Sequence, residues 1–341
     1  MPVTLSDPPS PPDSRAVCDA YGLGRPTWPP QVAARGVLGR IWRFETTSGI
    51  WAVKELLHFD VGSVQATAAA DVAFQEAALA AGVPMPRPIV ARSGNVLTDV
   101  GSADEPRLVR VYTWVDLAGR DIRPDLDAVA GILGRLHALG PREDRPPLAW
   151  FTTPPPVERW PQLVAQVRAA APPWLSGFEA LVPDVVEAVG RTTPARFGPM
   201  ITCHLDYNPE NVLVDVRGRA VVVDWENSGP GSAEQELASV VAEFVTDPSE
   251  TPAFLASYER AGGPATLLDR SSFAMTSIVQ ANLVESYARW AIDRSTPDED
   301  RAIAVHFVQD IAANVFTIAR IDAWLEAAGL PLSADGRSAG S

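Results

Sequence analysis

The stretch His204-Leu205-Asp206-Tyr207-Asn208-Pro209-Glu210-Asn211-Val212-Leu213-Val214-Asp215, followed by Val221-Val222-Val223-Asp224-Trp225-Glu226, decides how the chain is read. Its form is H-x-D-x-x-x-x-N, then a hairpin turning on Arg217-Gly218-Arg219, then an aspartate that closes an apolar strand. Met200–Cys203, Asn211–Asp215 and Ala220–Val223 read as short strands, rich in β-branched residues and separated by polar turns. That order puts Asp206 on a loop, Asn211 at a strand start and Asp224 at a strand end, where loop ends can converge on one point.

Phosphoryl transfer demands such a set. A carboxylate must orient a hydroxyl nucleophile or accept its proton, and hard oxygen ligands must hold the Mg²⁺ that bridges nucleotide phosphates. Asp206 suits the first task; Asn211 and Asp224, one neutral and one anionic, suit the second. By itself the H-x-D-x-x-x-x-N pattern reads equally well as a turn aspartate and a loop-capping asparagine. The downstream aspartate on an apolar strand favours the chemical reading.

Working outward, the chain has 27 arginines and one lysine, Lys54. An arginine-rich composition can leave one lysine by chance; alternatively, position 54 needs a compact ammonium rather than a planar guanidinium. Ile41–Thr46, the turn Thr47-Ser48-Gly49 and Ile50–Leu56 read as an antiparallel hairpin with Lys54 late on its return strand. A lysine there can meet nucleotide phosphates and needs a carboxylate to steady its stem. Gln65–Ala81 reads as a helix carrying Glu76, with Asp71 the other nearby acid, and Glu76 is the expected partner. Gly36 and Gly39 either let backbone N–H groups approach phosphates or merely permit a turn.

The whole chain reads as α+β. Residues 1–30 are proline-rich and are expected to form a flexible arm; 31–114 form a small, mainly strand-built nucleotide-binding lobe. Residues 115–330 form a larger helical lobe with a proline-dense insertion at 141–199, and 331–341 form a disordered tail. Helices are expected at Asp125–Leu139, Ala233–Phe244, Ser271–Ile292 and Asp298–Ala328. Apolar residues are 46%, enough for a sizeable core, and the net charge is −14, which disfavours nucleic acid and anionic membranes. No apolar run is long enough to span a bilayer, and the first residues do not read as a secretory signal. Two cysteines, Cys18 and Cys203, fit a reducing cytoplasm better than a disulfide framework.

Ala52-Val53-Lys54, Glu76, His204-x-Asp206-x-x-x-x-Asn211 and Val223-Asp224-Trp225-Glu226 together resemble the aminoglycoside phosphotransferase/choline kinase family, across about residues 32–328. Leu133–Leu139 resembles the helix that precedes its catalytic segment. The resemblance implies a two-lobed protein-kinase-like fold with Asp206 as catalytic base and Asn211 and Asp224 on Mg²⁺. It also implies Lys54 on the phosphates of ATP or GTP, Glu76 orienting Lys54, and Val111-Tyr112-Thr113-Trp114 as the hinge reading adenine through its backbone. His204 would support its loop by hydrogen bonding. Asn208, where protein Ser/Thr kinases carry lysine, Asp224-Trp225-Glu226 in place of D-F-G, and the missing A-P-E turn the reading towards small-molecule kinases. Many relatives carry an aspartate at the start of the helix after the metal segment, where Ser232-Ala233-Glu234-Gln235-Glu236-Leu237-Ala238 offers glutamates instead.

The acceptor is then a hydroxyl on a small, amine-bearing molecule, for which Glu210, Glu226, Glu285 and Asp293 are candidate acids. An antibiotic-inactivating enzyme, a metabolic kinase of an amino-alcohol or hydroxylated amino acid, and a catalytically silent nucleotide-binding protein remain open. No His or Cys spacing suggests a metal site of another kind. Trp160, Trp174 and Trp290 read as core.

Overall fold

The structure is a computed structural model that describes residues 10–36, 39–57, 72–102, 105–119, 121–194 and 198–333. It divides into two compact units, Met1–Gly119 with Asp215–Glu226, and Arg120–Val214 with Asn227–Ser341. The boundary expected after residue 114 compares with a division after Gly119, and Asp215–Glu226 groups with the first unit.

The first unit is built on an antiparallel sheet of β1 (Gln31–Arg35), β2 (Gly39–Thr46), β3 (Gly49–Leu56), β4 (Pro88–Ile89), β5 (Leu97–Asp99) and β6 (Leu108–Thr113). The order is β1-β2-β3-β6-β4, with β5 also paired to β6. β2 and β3 join through Thr47-Ser48, with Thr46 opposite Gly49. Gly49 has φ 144°, a region that a side chain disfavours. Period-two alternation sorts the strands: Trp42, Val53 and Val111 align across one face, and Ile41, Lys54 and Arg110 align across the other.

The apolar face is covered by α1 (Ser14–Tyr21), which corrects the expectation of a flexible arm for the described residues from 10 to 30; residues 1–9 lie outside the described residues. Asp13 caps the helix, and Val17, Cys18 and Tyr21 pack into one cluster with Trp42, Phe44, Val53, Val109 and Val111. Burying such side chains is worth about 1.5–3 kcal/mol each, enough to hold a helix of only eight residues that would not persist alone. Tyr21 Oη donates to the Val109 carbonyl at 2.7 Å, and Arg107 donates to the carbonyls of Ser10 and Pro11 at 2.8 Å. Prolines on either side masked this short apolar stripe in the sequence.

The expected helix over 65–81 is described from residue 72, as α2 over 72–80; its earlier part, Asp71 and His58 lie outside the described residues. Phe74 of α2 meets the Trp225 ring edge-on at 5.7 Å. The strand β9 (Ala220–Val222) also belongs to this unit, and Val222 N–H donates to the Pro84 carbonyl at 2.9 Å.

In the second unit α3 (Leu126–Leu139), α4 (Ala149–Thr152), α5 (Arg159–Ala170) and α6 (Leu175–Thr192) lead to β7 (Met200–Cys203) and β8 (Val212–Val214). After Asn227 come β10 (Gly229–Ser232), α7 (Ala233–Phe244), α8 (Thr251–Arg260), α9 (Ala274–Ile292), α10 (Asp298–Asn314) and α11 (Ile318–Ala327). The buried helix α9 packs against α4, α5, α6, α7 and α10. The proline-dense 141–199 segment thus supplies helices to the body of this unit, with Trp160 and Trp174 buried. The expected single helix over 298–328 is two, because the chain breaks at Val315 and Thr317 caps α11 through Arg320 N–H. The sequence reading also missed β10, which pairs antiparallel with β7. Gly231 is required there: a Cβ would stand 2.7 Å from Leu205 Cδ2 and 3.0 Å from Cys203 Cβ.

Among the described residues no single helix is long and apolar enough to cross a membrane. Cys18 and Cys203 are both free and buried.

Candidate active site

In the first unit Lys54 is 9% exposed, and its Nζ donates to Asp224 Oδ1 at 2.6 Å and Glu226 Oε2 at 2.9 Å. Burial works against the ammonium, but the Glu226 and Asp224 carboxylates outweigh it and hold Lys54 above the ordinary lysine range. Burial likewise opposes the Glu226 charge, and Lys54 first, then hydrogen bonding and Arg110, keep that carboxyl well below its usual range. Glu226 Oε1 accepts from Tyr112 Oη at 3.1 Å. Asp224 itself has φ 60°, a left-handed conformation that aspartate tolerates better than most residues.

The structure thus brings Lys54 to Asp224. It does not bring Lys54 to Glu76, whose side chain is exposed on α2. The lysine turns instead to the two acids that follow β9.

Gly39 lies against this lysine: a Cβ there would approach Glu55 O to 2.9 Å and Lys54 Cε to 3.3 Å, so the missing side chain makes room for the Lys54 stem. Gly36 N–H donates to the Gly39 carbonyl at 2.9 Å, which commits it within the chain rather than to a ligand. At the expected hinge, Thr113 N–H donates to Arg87 O at 2.9 Å and Trp114 N–H to Ile50 O at 3.3 Å. The Trp114 indole donates to Asp116 and lies under Arg43. Tyr112 therefore reaches this cluster through its hydroxyl, not its backbone.

In the second unit β7 runs into the loop carrying Asp206. Asn208 Nδ2 donates to Asp206 Oδ1 at 2.7 Å, and Asn227 Nδ2 donates to Asp206 Oδ2 at 3.2 Å, so each carboxylate oxygen is held by a carboxamide. Asn211 Nδ2 donates to the Asp206 carbonyl at 2.9 Å, which turns its side-chain oxygen into the group left to bind a cation. His204 Nδ1 accepts the Asp206 N–H at 3.3 Å, in keeping with a supporting role. Tyr207 Oη donates to the Val129 carbonyl of α3 at 3.0 Å.

Beneath the loop sits Glu236, 2% exposed on the first turn of α7. Its carboxylate accepts the N–H groups of His204 and Leu205 and meets His137 Nε2 at 2.7 Å; His137 Nδ1 meets Tyr258 Oη at 2.7 Å. Burial pushes the Glu236 carboxyl up, but the His137 hydrogen bond and charge, with His204 and the Leu205 N–H, leave it below the usual range. Cys203 Sγ also lies near, and its ligand atom and those of His137 and Glu236 fall within 4.8 Å of one another. Glu236 is already engaged by His137 and two backbone N–H groups, so this is a hydrogen-bonded anchor.

The sequence profile of the phosphotransferase enzyme family matches residues 31–273, well over half of the chain. The chain belongs to this family. Among curated proteins no sequence match is found. Solved structures share the fold of this phosphotransferase. A spectinomycin phosphotransferase in complex with ADP and spectinomycin is 11% identical with a TM-score of 0.61, covering 93% of this chain and 98% of that one. An aminoglycoside phosphotransferase from Alicyclobacillus acidocaldarius is 16% identical with a TM-score of 0.56, covering 96% and 98%. A microcompartment-associated aminopropanol kinase is 19% identical with a TM-score of 0.54, covering 89% and 94%.

Of the acids expected to face an acceptor, Glu226 is taken by Lys54, Glu285 by Arg289 and Arg159, and Asp293 by the Ser295 hydroxyl and N–H; Glu210 is exposed. Sequence reasoning missed Asn227, Glu236 and Glu243. Glu243, on the last turn of α7, is reached by solvent yet crowded by protein. That crowding, with Asp206 and then Asp310, lifts its carboxyl to about 7 against Arg320 and Arg123. Only Glu236 left a signal, as an acid at a helix start where relatives carry one.

Proposed function

We propose that this phosphotransferase carries the γ-phosphoryl group of ATP or GTP to a hydroxyl of a small, amine-bearing acceptor. The observation that carries the reading is the 2.6 Å pairing of Lys54 with Asp224, a phosphate-binding ammonium beside a metal-binding carboxylate. Asn211 and Asp224 are the residues that would hold Mg²⁺: a carboxamide oxygen and a carboxylate are hard donors of the kind this cation takes, and the Asp224 side chain is 38% exposed. Bound there, the cation would neutralise charge on the transferring phosphates.

The remaining work falls to the chain. Lys54 meets the nucleotide phosphates. Asp206 accepts the acceptor O–H proton as the new O–P bond forms and the bond between the β-phosphate oxygen and the γ-phosphorus breaks, releasing the diphosphate. Asn208 and Asn227 donate to Asp206 and favour its ionised form, as a proton acceptor requires. Glu243 lies on the second unit within electrostatic reach of Asp206 and Asp310, and such a group of acids favours a cationic acceptor. The solved relatives named for spectinomycin and aminopropanol point the same way, since both compounds are amine-bearing alcohols.

A screen with Mg²⁺ and ATP or GTP against amino-sugars, amino-alcohols, hydroxylated amino acids, nucleosides and macrolides tests this, read by mass spectrometry. The expected result is one phosphoryl group gained by an amine-bearing alcohol. No gain on any acceptor, with no Mg-nucleotide binding by thermal shift, overturns the reading and leaves a catalytically silent protein.

A further inference from the structure

Glu226 occupies an unusual position for a residue that the reaction does not obviously need. It is partly buried, follows Asp224 by two residues, and divides its oxygens: Oε2 takes the Lys54 ammonium at 2.9 Å and Oε1 the Tyr112 hydroxyl at 3.1 Å. Tyr112 and Lys54 lie on neighbouring strands of one sheet face, with Lys54 directly opposite Arg110. Two cations side by side on adjacent strands repel unless acids lie over them. Asp224 and Glu226 supply two negative charges, and Arg110 acts on Glu226 as well as Lys54 does.

Asp224 cannot be the permanent partner of Lys54 if it also binds the metal, because a carboxylate oxygen facing a divalent cation is withdrawn from other donors. Glu76 does not replace it, being exposed on α2. We propose that Glu226, braced by Tyr112, is the positioning residue that holds Lys54 in place for the nucleotide phosphates. The proposal rests on the phosphotransferase reading for the purpose of Lys54, but the anchoring itself can be tested without any turnover.

The single lysine makes this direct. An amine-reactive ester labels Lys54, and peptide mass spectrometry separates it from the terminal amine. Loss of a charge-assisted hydrogen bond should free the amine, so Glu226→Gln labels Lys54 roughly tenfold faster than the native chain. Tyr112→Phe should give an intermediate rate, and Glu76→Gln the native rate. With Mg-nucleotide, Glu226→Gln should raise the nucleotide KM more than it lowers kcat, at an unchanged thermal midpoint, and Glu226→Asp should recover part of the loss. A native labelling rate in Glu226→Gln, or equal acceleration in Glu76→Gln, overturns the proposal. Should Glu226→Gln lose its native circular dichroism, Tyr112→Phe decides, and a native rate there counts against the proposal. If the native chain binds no Mg-nucleotide, the functional reading fails, while the labelling rates still decide whether Glu226 holds Lys54.

Discussion

The carboxylate of Glu236 accepts the backbone N–H of Leu205, a residue held at φ 62° one step before Asp206. A left-handed leucine costs roughly 1–2 kcal/mol, so the loop keeps this shape only where other contacts enforce it. Glu236 does so from α7, and His137 and Tyr258 fix Glu236 in turn. The path from the core to the Asp206 side chain is therefore a chain of hydrogen bonds inside one unit.

Glu236→Gln keeps the shape of that anchor but turns one oxygen into a donor facing N–H groups. The expected loss is about 1–3 kcal/mol of stability, read by urea unfolding. Turnover should fall with little change in nucleotide affinity. The pH dependence has a definite sign. Because the folded-state carboxyl is lowered, its contribution is present above the unfolded value and is lost as pH falls through the folded value. An acid-unfolding curve of the variant should therefore be flatter than the native one.

Lys54→Arg tests whether the ammonium is needed. The guanidinium is longer and planar, and Lys54 Cε already lies where a Gly39 Cβ would come within 3.3 Å. A misplaced charge of this kind should reduce kcat/KM on the order of 10²-fold, measured by coupled nucleotide consumption. Native rates would make the lone lysine incidental.

Gly39→Ala presses on the same place from β2. The new methyl would stand 2.9 Å from the Glu55 carbonyl, a backbone atom, so β2 and β3 must separate. Overpacking of this size costs about 1–3 kcal/mol and should weaken Mg-nucleotide binding, seen by thermal melting and calorimetry.

The sheet of the first unit was legible because alternation and turn chemistry act locally: Trp42, Phe44 and Val53 mark a buried face, and Thr47-Ser48-Gly49 marks the hairpin. The catalytic segment was legible because its spacing is short and contiguous. The partner of Lys54 was not. Glu76 lies in the helix expected soon after that strand, whereas Asp224 and Glu226 lie 170 and 172 residues away in sequence, and nothing local marks a pairing of that range. Helix α1 was missed for a different reason: three buried side chains among prolines make a weak periodic signal, and only packing on the sheet stabilises it. The contact of the Tyr112 hydroxyl with Glu226 was not legible either, because the two residues lie 114 apart in sequence and Tyr112 sits within a strand between Ala52 and Pro88.

Glu243 offers a test that needs no turnover. Its carboxyl is raised to about 7 in the folded state, so the folded chain holds a proton that the unfolded chain releases near its ordinary carboxylate value. Its effect on stability is therefore absent below the unfolded value and becomes unfavourable as pH rises towards about 7. Between pH ~5 and ~7.5 the native protein should lose more thermal stability than Glu243→Gln, measured as Tm at each pH. Parallel slopes would show that burial, Asp206 and Asp310 do not together raise the Glu243 carboxyl.

The central claim is that Asp206 handles the acceptor proton while the nucleotide is held by other residues. Comparing native protein with Asp206→Ala, for acceptor mass gain and Mg-nucleotide binding in the same preparations, tests it most directly. Transfer should fall by about 10²-fold or more in the variant, with nucleotide binding retained. Equal transfer by the two proteins would contradict the account.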